Sequence, residues 1–201
     1  MKILAFSDLH RDAAMADAIV RRSSDADADV VVGAGDFATC GIGLQDTIAI
    51  LRRMPVPFVL VPGNHDDLEE LRTVCADWRL AHVLHGQSRL VNGVTFFGIG
   101  YGSGVVNPEP WNRALDEAEA TQMLSQCPEH AVLVSHSPPH GIADRQRDGR
   151  HDGSMAVRDA IHLRQPRLTI CGHIHNGWGQ SGRIGRTPIH NIGPRPGLFT
   201  V

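Results

Sequence analysis

The sequence predicts an α/β fold, and three observations carry that prediction. Through the first third of the chain, short apolar runs alternate with amphipathic stretches in the order β-α-β-α-β, which implies a parallel sheet. Asn92-Gly93 sits between two apolar runs and marks a hairpin, where the parallel part gives way to a second, mixed sheet. The apolar runs also end in Asp, Asn and His, at the strand ends where open parallel sheets place their sites.

The elements follow in order. Lys2 to Phe6 is a buried strand that ends at Ser7-Asp8-Leu9-His10. Asp12 to Arg22 carries Ala14, Ala18, Ile19 and Val20 beside a charged face and reads as a helix. Asp29 to Gly33 is a second buried strand, ending at Gly35-Asp36, and Leu44 to Met54 is a helix stopped by Pro55. Pro57 to Val61 is a third strand, ending at Gly63-Asn64-His65-Asp66. Asp67 to Cys75 reads as helix and Ala81 to Leu84 as a short strand. The hairpin Arg89–Val91 and Val94–Phe97 comes next, then a Gly/Pro-rich loop from Tyr101 to Pro110.

Leu115 to Cys127 is expected to be helical, closed by Pro128. Ala131 to Val134 is a strand ending at Ser135-His136, followed by a polar loop over 143–153 with Arg145, Arg147, Arg150 and His151. Ser154 to Leu163 is a helix with Ser154 as its N-cap. Leu168 to Cys171 is a strand that runs into Gly172-His173-Ile174-His175. If that strand persists, His173 and His175 point to the same side. Trp178 to Val201 reads as a hairpin and an edge strand.

Composition narrows the function. At 42% hydrophobic and 20% charged, the chain is an ordinary globular sequence long enough for one domain with a substantial core. The net charge of −3 gives no strong nucleic-acid or membrane signal, and the 19 basic residues, all arginine except Lys2, are scattered. Cys40, Cys75, Cys127 and Cys171 form no C-x-x-C pair, which suggests reduced thiols and a cytoplasmic protein. The opening apolar run is too short for a signal peptide, and no stretch approaches the ~18 apolar residues of a membrane span. Histidine stands out at 12 in 201 residues.

Asp8-Leu9-His10, Gly35-Asp36, Gly63-Asn64-His65-Asp66, His136 and Gly172-His173-Ile174-His175 follow one another across residues 8 to 175. Each alone has a bland reading as a turn, a cap or an edge residue. In this order, each at a strand end, they resemble the motifs of the calcineurin-like metallophosphoesterases. Ser135 to Gly141 and Gly172 to Gly179 are similar to the small phosphodiesterase branch that includes the brain protein 239 group.

The resemblance implies a four-layer αββα sandwich, two mixed β-sheets flanked by helices, as one domain over residues 1–201. It implies two divalent metal ions, Mn²⁺ foremost, with Fe²⁺, Zn²⁺ or Ni²⁺ also compatible with a thiolate-free N/O donor set. One ion falls to Asp8, His10, Asp36 and His175, the other to Asp36, Asn64, His136 and His173, with Asp36 bridging. His65 stays off the metals as the catalytic residue that assists the leaving group. Two ions roughly 3.5–4 Å apart can share a hydroxide of lowered pKa for in-line attack on phosphorus. Asp66 is a candidate to orient His65, and His140, His151 and the loop arginines are candidates for substrate contact.

The expected function is therefore hydrolysis of a small phosphoester or nucleotide, a phosphodiester before a phosphomonoester. A chain this short leaves no room for an added cap domain, so the site should be fairly open. A repair nuclease of the same superfamily is the enzymatic alternative, though its extra DNA-binding segments and basic surface are missing here. A non-catalytic scaffold, like the retromer subunit of this fold, is the alternative from another class. A scaffold has no need to keep His65 and every ligand position, and all of them are present.

Overall fold

Alternation within the first strand shows how the chain divides its apolar residues. In β1 (Lys2–Phe6), Ile3 and Ala5 enter one buried cluster while Leu4 and Phe6 enter another, because successive side chains leave a strand on opposite faces. A sheet built from such strands must be covered on both sides. The structure is a computed structural model and describes residues 1–105 and 107–201. Val106, within the Tyr101–Pro110 loop, lies outside the described residues.

The first sheet runs β11 (Gly197–Thr200), β1, β2 (Val30–Gly33), β3 (Phe58–Leu60), β4 (Ala81–Val83). β1 to β4 are parallel and β11 closes the edge antiparallel to β1. The second sheet runs β5 (Gln87–Val91), β6 (Val94–Ile99), β7 (Val132–Ser135), β8 (Leu168–Cys171), β10 (Thr187–Asn191), β9 (Ser181–Ile184). Its central strands β6, β7, β8 and β10 are parallel, with antiparallel partners at both edges.

Three apolar clusters separate four layers. Helices α1 (Ala13–Asp25), α2 (Leu44–Leu51) and α3 (Leu68–Cys75) cover one face of the first sheet through Ile19, Ile48 and Leu71. Between the sheets, Val30, Val32, Val59 and Val61 meet Phe96, Val132, Val134 and Ile170. Helices α4 (Glu117–Leu124) and α5 (Met155–Arg164) cover the outer face of the second sheet through Leu124, Val157 and Ile161. These are the two mixed sheets with flanking helices that the motifs implied. Among the described residues, no helix is long and apolar enough to cross a membrane.

Capping chemistry moves several boundaries from where periodicity put them. Asp12 stands outside α1 and accepts from the Met15 N–H at 2.9 Å. Asp67 does the same for α3, accepting from the Glu69 and Glu70 amides. The helix expected from Leu115 begins only at Glu117, because Asp116 and Glu119 close a capping box, and it ends at Leu124. The helix expected to reach Met54 ends at Leu51. Ser154 caps α5 as expected, accepting from Val157 N–H. Asn92 and Gly93 both take positive φ, 47° and 82°, the type I′ geometry their pairing predicts.

Candidate metal centre

The loops that leave β1, β2, β3, β7 and β8 converge at one end of the two sheets. Apolar residues beside the polar ones anchor several of these loops. Leu9, between Asp8 and His10, is buried in the helix-facing core. Phe37, next to Asp36, packs edge-on against Phe6 and Phe58, both at 6.1 Å between ring centroids. Ile174, between His173 and His175, is also buried. The loops are then clipped together: Asp8 N–H donates to Gly35 O, and His10 N–H to Asp36 O, both at 2.9 Å. A Cβ at Gly63 would overlap the Asp36 carboxylate, so close approach demands glycine there. Asp8, His10, Asp36 and His173 all take positive φ, between 45° and 68°, backbone strain concentrated at one place.

All eight residues singled out from the sequence meet here, and seven of them close a ring. His173 N–H donates to Asp8 Oδ1 at 3.0 Å. His173 Nδ1 and His136 Nε2 each lie 2.9 Å from Asn64 Oδ1. Asp36 Oδ2 lies 3.5 Å from His136 Nε2 and 3.5 Å from His10 Nε2. His10 Nε2 and His175 Nε2 are 3.2 Å apart, and His175 Nε2 is 4.0 Å from Asp8 Oδ1. Asp36 Oδ1 accepts from the His65 amide at 2.9 Å, which leaves Oδ2 aimed between the two sets of imidazoles. Asp8, His10 and His175 could hold one metal ion, as could Asp8, Asp36 and His136, or His10, Asp36 and His65.

The hydrogen bonds around these residues suit a cation. Ala34 O can only accept, so its 2.7 Å contact fixes the proton of His136 on Nδ1. Nε2 of a neutral His136 is then a lone pair, and burial holds this ring below its ordinary pKa. Asn107 O likewise forces the Asn112 amide to present its NH₂ there and its Oδ1 to Asn64. Asn64 must answer with Nδ2, at 2.7 Å, which turns its Oδ1 towards His136 Nε2. Two acceptors thus face each other at 2.9 Å, an arrangement that repels unless a positive ion sits between them. The His10–His175 spacing agrees, since two nitrogens bound to one ion at about 2.0–2.1 Å stand about 3 Å apart.

The charges agree as well. Burial, with Asp8 and Asp66 close by, pushes the Asp36 carboxyl well above the usual carboxylate range, and a cation would reverse this. Burial, and then His136, depress His173 well below the ordinary histidine value, and burial also lowers His10. The rings are therefore neutral near pH 7 and present lone pairs.

His65 is held differently. Its Nδ1 accepts from the Cys40 N–H at 2.8 Å, so in the neutral ring the proton is on Nε2, 4.0 Å from Asp36 Oδ2. Trp111 stacks on the ring at 4.3 Å and 28°, and His10 meets the ring edge-on at 4.7 Å. Burial, with His10 and His136 next in effect, lowers its pKa to about 4. His65 is thus a neutral ring at pH 7 with its Nε2–H free to donate.

Other expectations need correction. β8 stops at Cys171, His173 has φ 68°, and His175 opens a single 3-10 turn, so strand alternation does not align the two rings. They face one site because the loop folds around Asp8. Asp66 does not orient His65. Its buried carboxylate accepts from the Phe37, Ala38 and Gly63 amides and so binds the β2 loop to the β3 loop. His85 and His190 serve locally, against Tyr101 and Phe199. Trp178 packs on His175 and donates from Nε1 to Asp8 Oδ2 at 3.1 Å.

Sequence reasoning missed Asn112, whose role depends on a partner 48 residues away. Asn112→Ala frees the Asn64 amide to turn, so Mn²⁺ affinity is expected to fall about 10–100-fold with the fold intact. Metal titration checks this, and unchanged affinity would show that Asn64 is held by other means.

The model of the family described as calcineurin-like phosphoesterase matches residues 1–177. The UPF0046 protein T07D4.2 of Caenorhabditis elegans is 25% identical in a match 185 residues long, gaps included, that covers 75% of this chain. The match covers 47% of that relative, so the chain spans about half its length. TT1561 of Thermus thermophilus superposes with a TM-score of 0.74 at 18% identity, over 96% of this chain and 90% of that one. A dimetal phosphatase from Danio rerio gives 0.66 at 13% identity, over 96% and 88%. A structure described as a novel archaeal phosphodiesterase gives 0.55 at 15% identity, over 96% and 84%. At these identities the structures speak for the fold alone.

Proposed function

We propose that this chain, which belongs to the calcineurin-like phosphoesterase family, is a two-metal phosphodiesterase formed by residues 1–201 as one domain. The observation that carries the reading is the Asp36 carboxylate, with Oδ2 at 3.5 Å from one imidazole of each set. In this reading Asp8, His10, Asp36 and His175 hold one ion, and Asp36, Asn64, His136 and His173 the other. Mn²⁺ is our first choice for both. When bound, such a pair supplies a nucleophile of lowered pKa and neutralises phosphoryl charge.

The remaining steps belong to side chains. The Nε2–H of His65 donates to the phosphoryl or leaving oxygen as negative charge grows on it, and costs little reorganisation because Cys40 and Trp111 already fix the ring. The hydrogen bond from Trp178 and the close Ser7 hydroxyl, 2.5 Å from Asp8 Oδ2, hold that carboxylate in one orientation. Half of the His175 side chain is exposed, so the site is open enough for a diester with groups on both sides.

The test compares bis-p-nitrophenyl phosphate with p-nitrophenyl phosphate on protein stripped and reloaded with Mn²⁺. The diester is expected to be the better substrate by at least about tenfold in kcat/KM. Preference for the monoester would make the protein a phosphatase, and no metal-dependent turnover of either would favour the scaffold reading.

A further inference from the structure

Beside His175 a groove of about 540 Å³ opens, lined by Arg145, Gln146, Arg147, His175, Asn176 and Gln180. His175, which lies 3.2 Å from His10, is shared by the groove and the candidate metal centre. We propose that it is a second anion subsite, which binds a phosphate carried by the substrate away from the scissile one. This rests on the phosphodiesterase reading and narrows it. The preferred substrates are phosphodiesters whose organic group bears a further phosphate.

The arginines carry the argument. Arg145 and Arg147 are exposed, and among the described residues neither has a carboxylate within ion-pair distance. Arg150, on the same hairpin, is paired with Asp148 at 2.7 Å. The carboxylates nearest in sequence are held by hydrogen bonds from other groups of the same loop. Asp152 accepts from Gln146 at 2.8 Å. Asp144 is fully buried and accepts from the Gly141 and Gly153 amides at 2.9 Å, with His151 Nδ1 at 2.6 Å. Among the described residues, two guanidinium groups are therefore left free beside the site in a chain of net charge −3. Planar guanidinium forks suit phosphate oxygens.

The groove is also built before a ligand arrives. Gln146 N–H donates to Arg150 O at 2.8 Å and closes the hairpin. Asn176 Nδ2 donates to Gln146 Oε1 at 2.5 Å, and Gln180 Nε2 to Asn176 O at 3.0 Å, which joins the hairpin to the turn that holds His175. Asn191 Nδ2 fixes the start of the loop through Ala143 O at 2.9 Å. Such preorganisation lowers the cost of binding. Among the described residues, the lining holds no aromatic ring other than His175, which suits an anion better than a base.

The test measures calorimetric affinity of Mn²⁺-loaded protein for thymidine 3′,5′-bisphosphate and for thymidine 5′-monophosphate, in the parent chain and in R145A/R147A. The parent is expected to bind the bisphosphate at least about tenfold tighter, and the double variant to reduce that preference below about threefold. Arg150→Ala, which removes a paired arginine, should leave the preference intact. Equal binding of the two nucleotides by the parent, or a preference that survives in R145A/R147A, overturns the subsite. Loss of ester turnover in the parent with the binding preference intact would instead defeat the phosphodiesterase reading and leave the subsite standing.

Discussion

Asp36→Ala is expected to empty both metal positions at once and to lower kcat/KM for a diester by at least about 10³. The Asp36 carboxylate reaches both sets of imidazoles with a single oxygen, and removing it breaks both sets together. Elemental analysis after equilibrium dialysis checks this, and full metal content in the variant would refute the bridging role. Asp36→Asn separates metal binding from folding, because an amide keeps the acceptor that takes the His65 N–H. The Asp36 carboxyl is held well above its ordinary pKa, first by burial and then by Asp8. A raised folded-state value means stability is present at acid pH and lost as the pH rises through that value. Metal-free D36N should therefore gain over metal-free parent as pH rises, in thermal melts. Added metal should reverse the order, because the ion binds the folded parent and not the variant. A stability gap that does not move with pH would refute this.

His65→Ala is expected to keep both metals and to lose about 10²–10³ in kcat, most for esters with poor leaving groups. The ring faces the site through Nε2, with Nδ1 occupied by the Cys40 amide. Its pKa of about 4 adds a sharper expectation. Above that value the ring is neutral, so the ratio of parent to variant rates should be flat from about pH 5.5 to 8. A ratio that falls tenfold per unit as pH rises would show that the imidazolium is the active form. Metal loss in the variant would make His65 a metal ligand, as the grouping of His10, Asp36 and His65 allows.

Much of this site was legible because its residues sit where strands stop. Phe6, Gly33, Leu60, Ser135 and Cys171 end their strands within a few residues of Asp8, Asp36, Asn64, His136 and His173. Apolar runs followed by Asp, Asn or His therefore traced the rim. The continuous apolar runs of β1 and β2 likewise foretold a sheet covered on both faces. What escaped depended on groups without a sequence signature. The Cys40 donor to His65 is a backbone amide in a left-handed turn, available to any residue able to take φ near 50°. The Asn64–Asn112 contact needs a long connection to fold back, and nothing in Glu109-Pro110-Trp111-Asn112 announces it. Alternation also misled at His173 and His175, since β8 ends at Cys171 with the apolar run itself and the backbone beyond it turns at His173.

Metal stoichiometry combined with magnetic coupling tests the bridged centre most directly. Stripped protein dialysed against Mn²⁺ should bind two ions per chain, and their electron paramagnetic resonance spectrum should show exchange coupling, as ions sharing a carboxylate do. One ion per chain, or two without coupling, would contradict a centre bridged by Asp36.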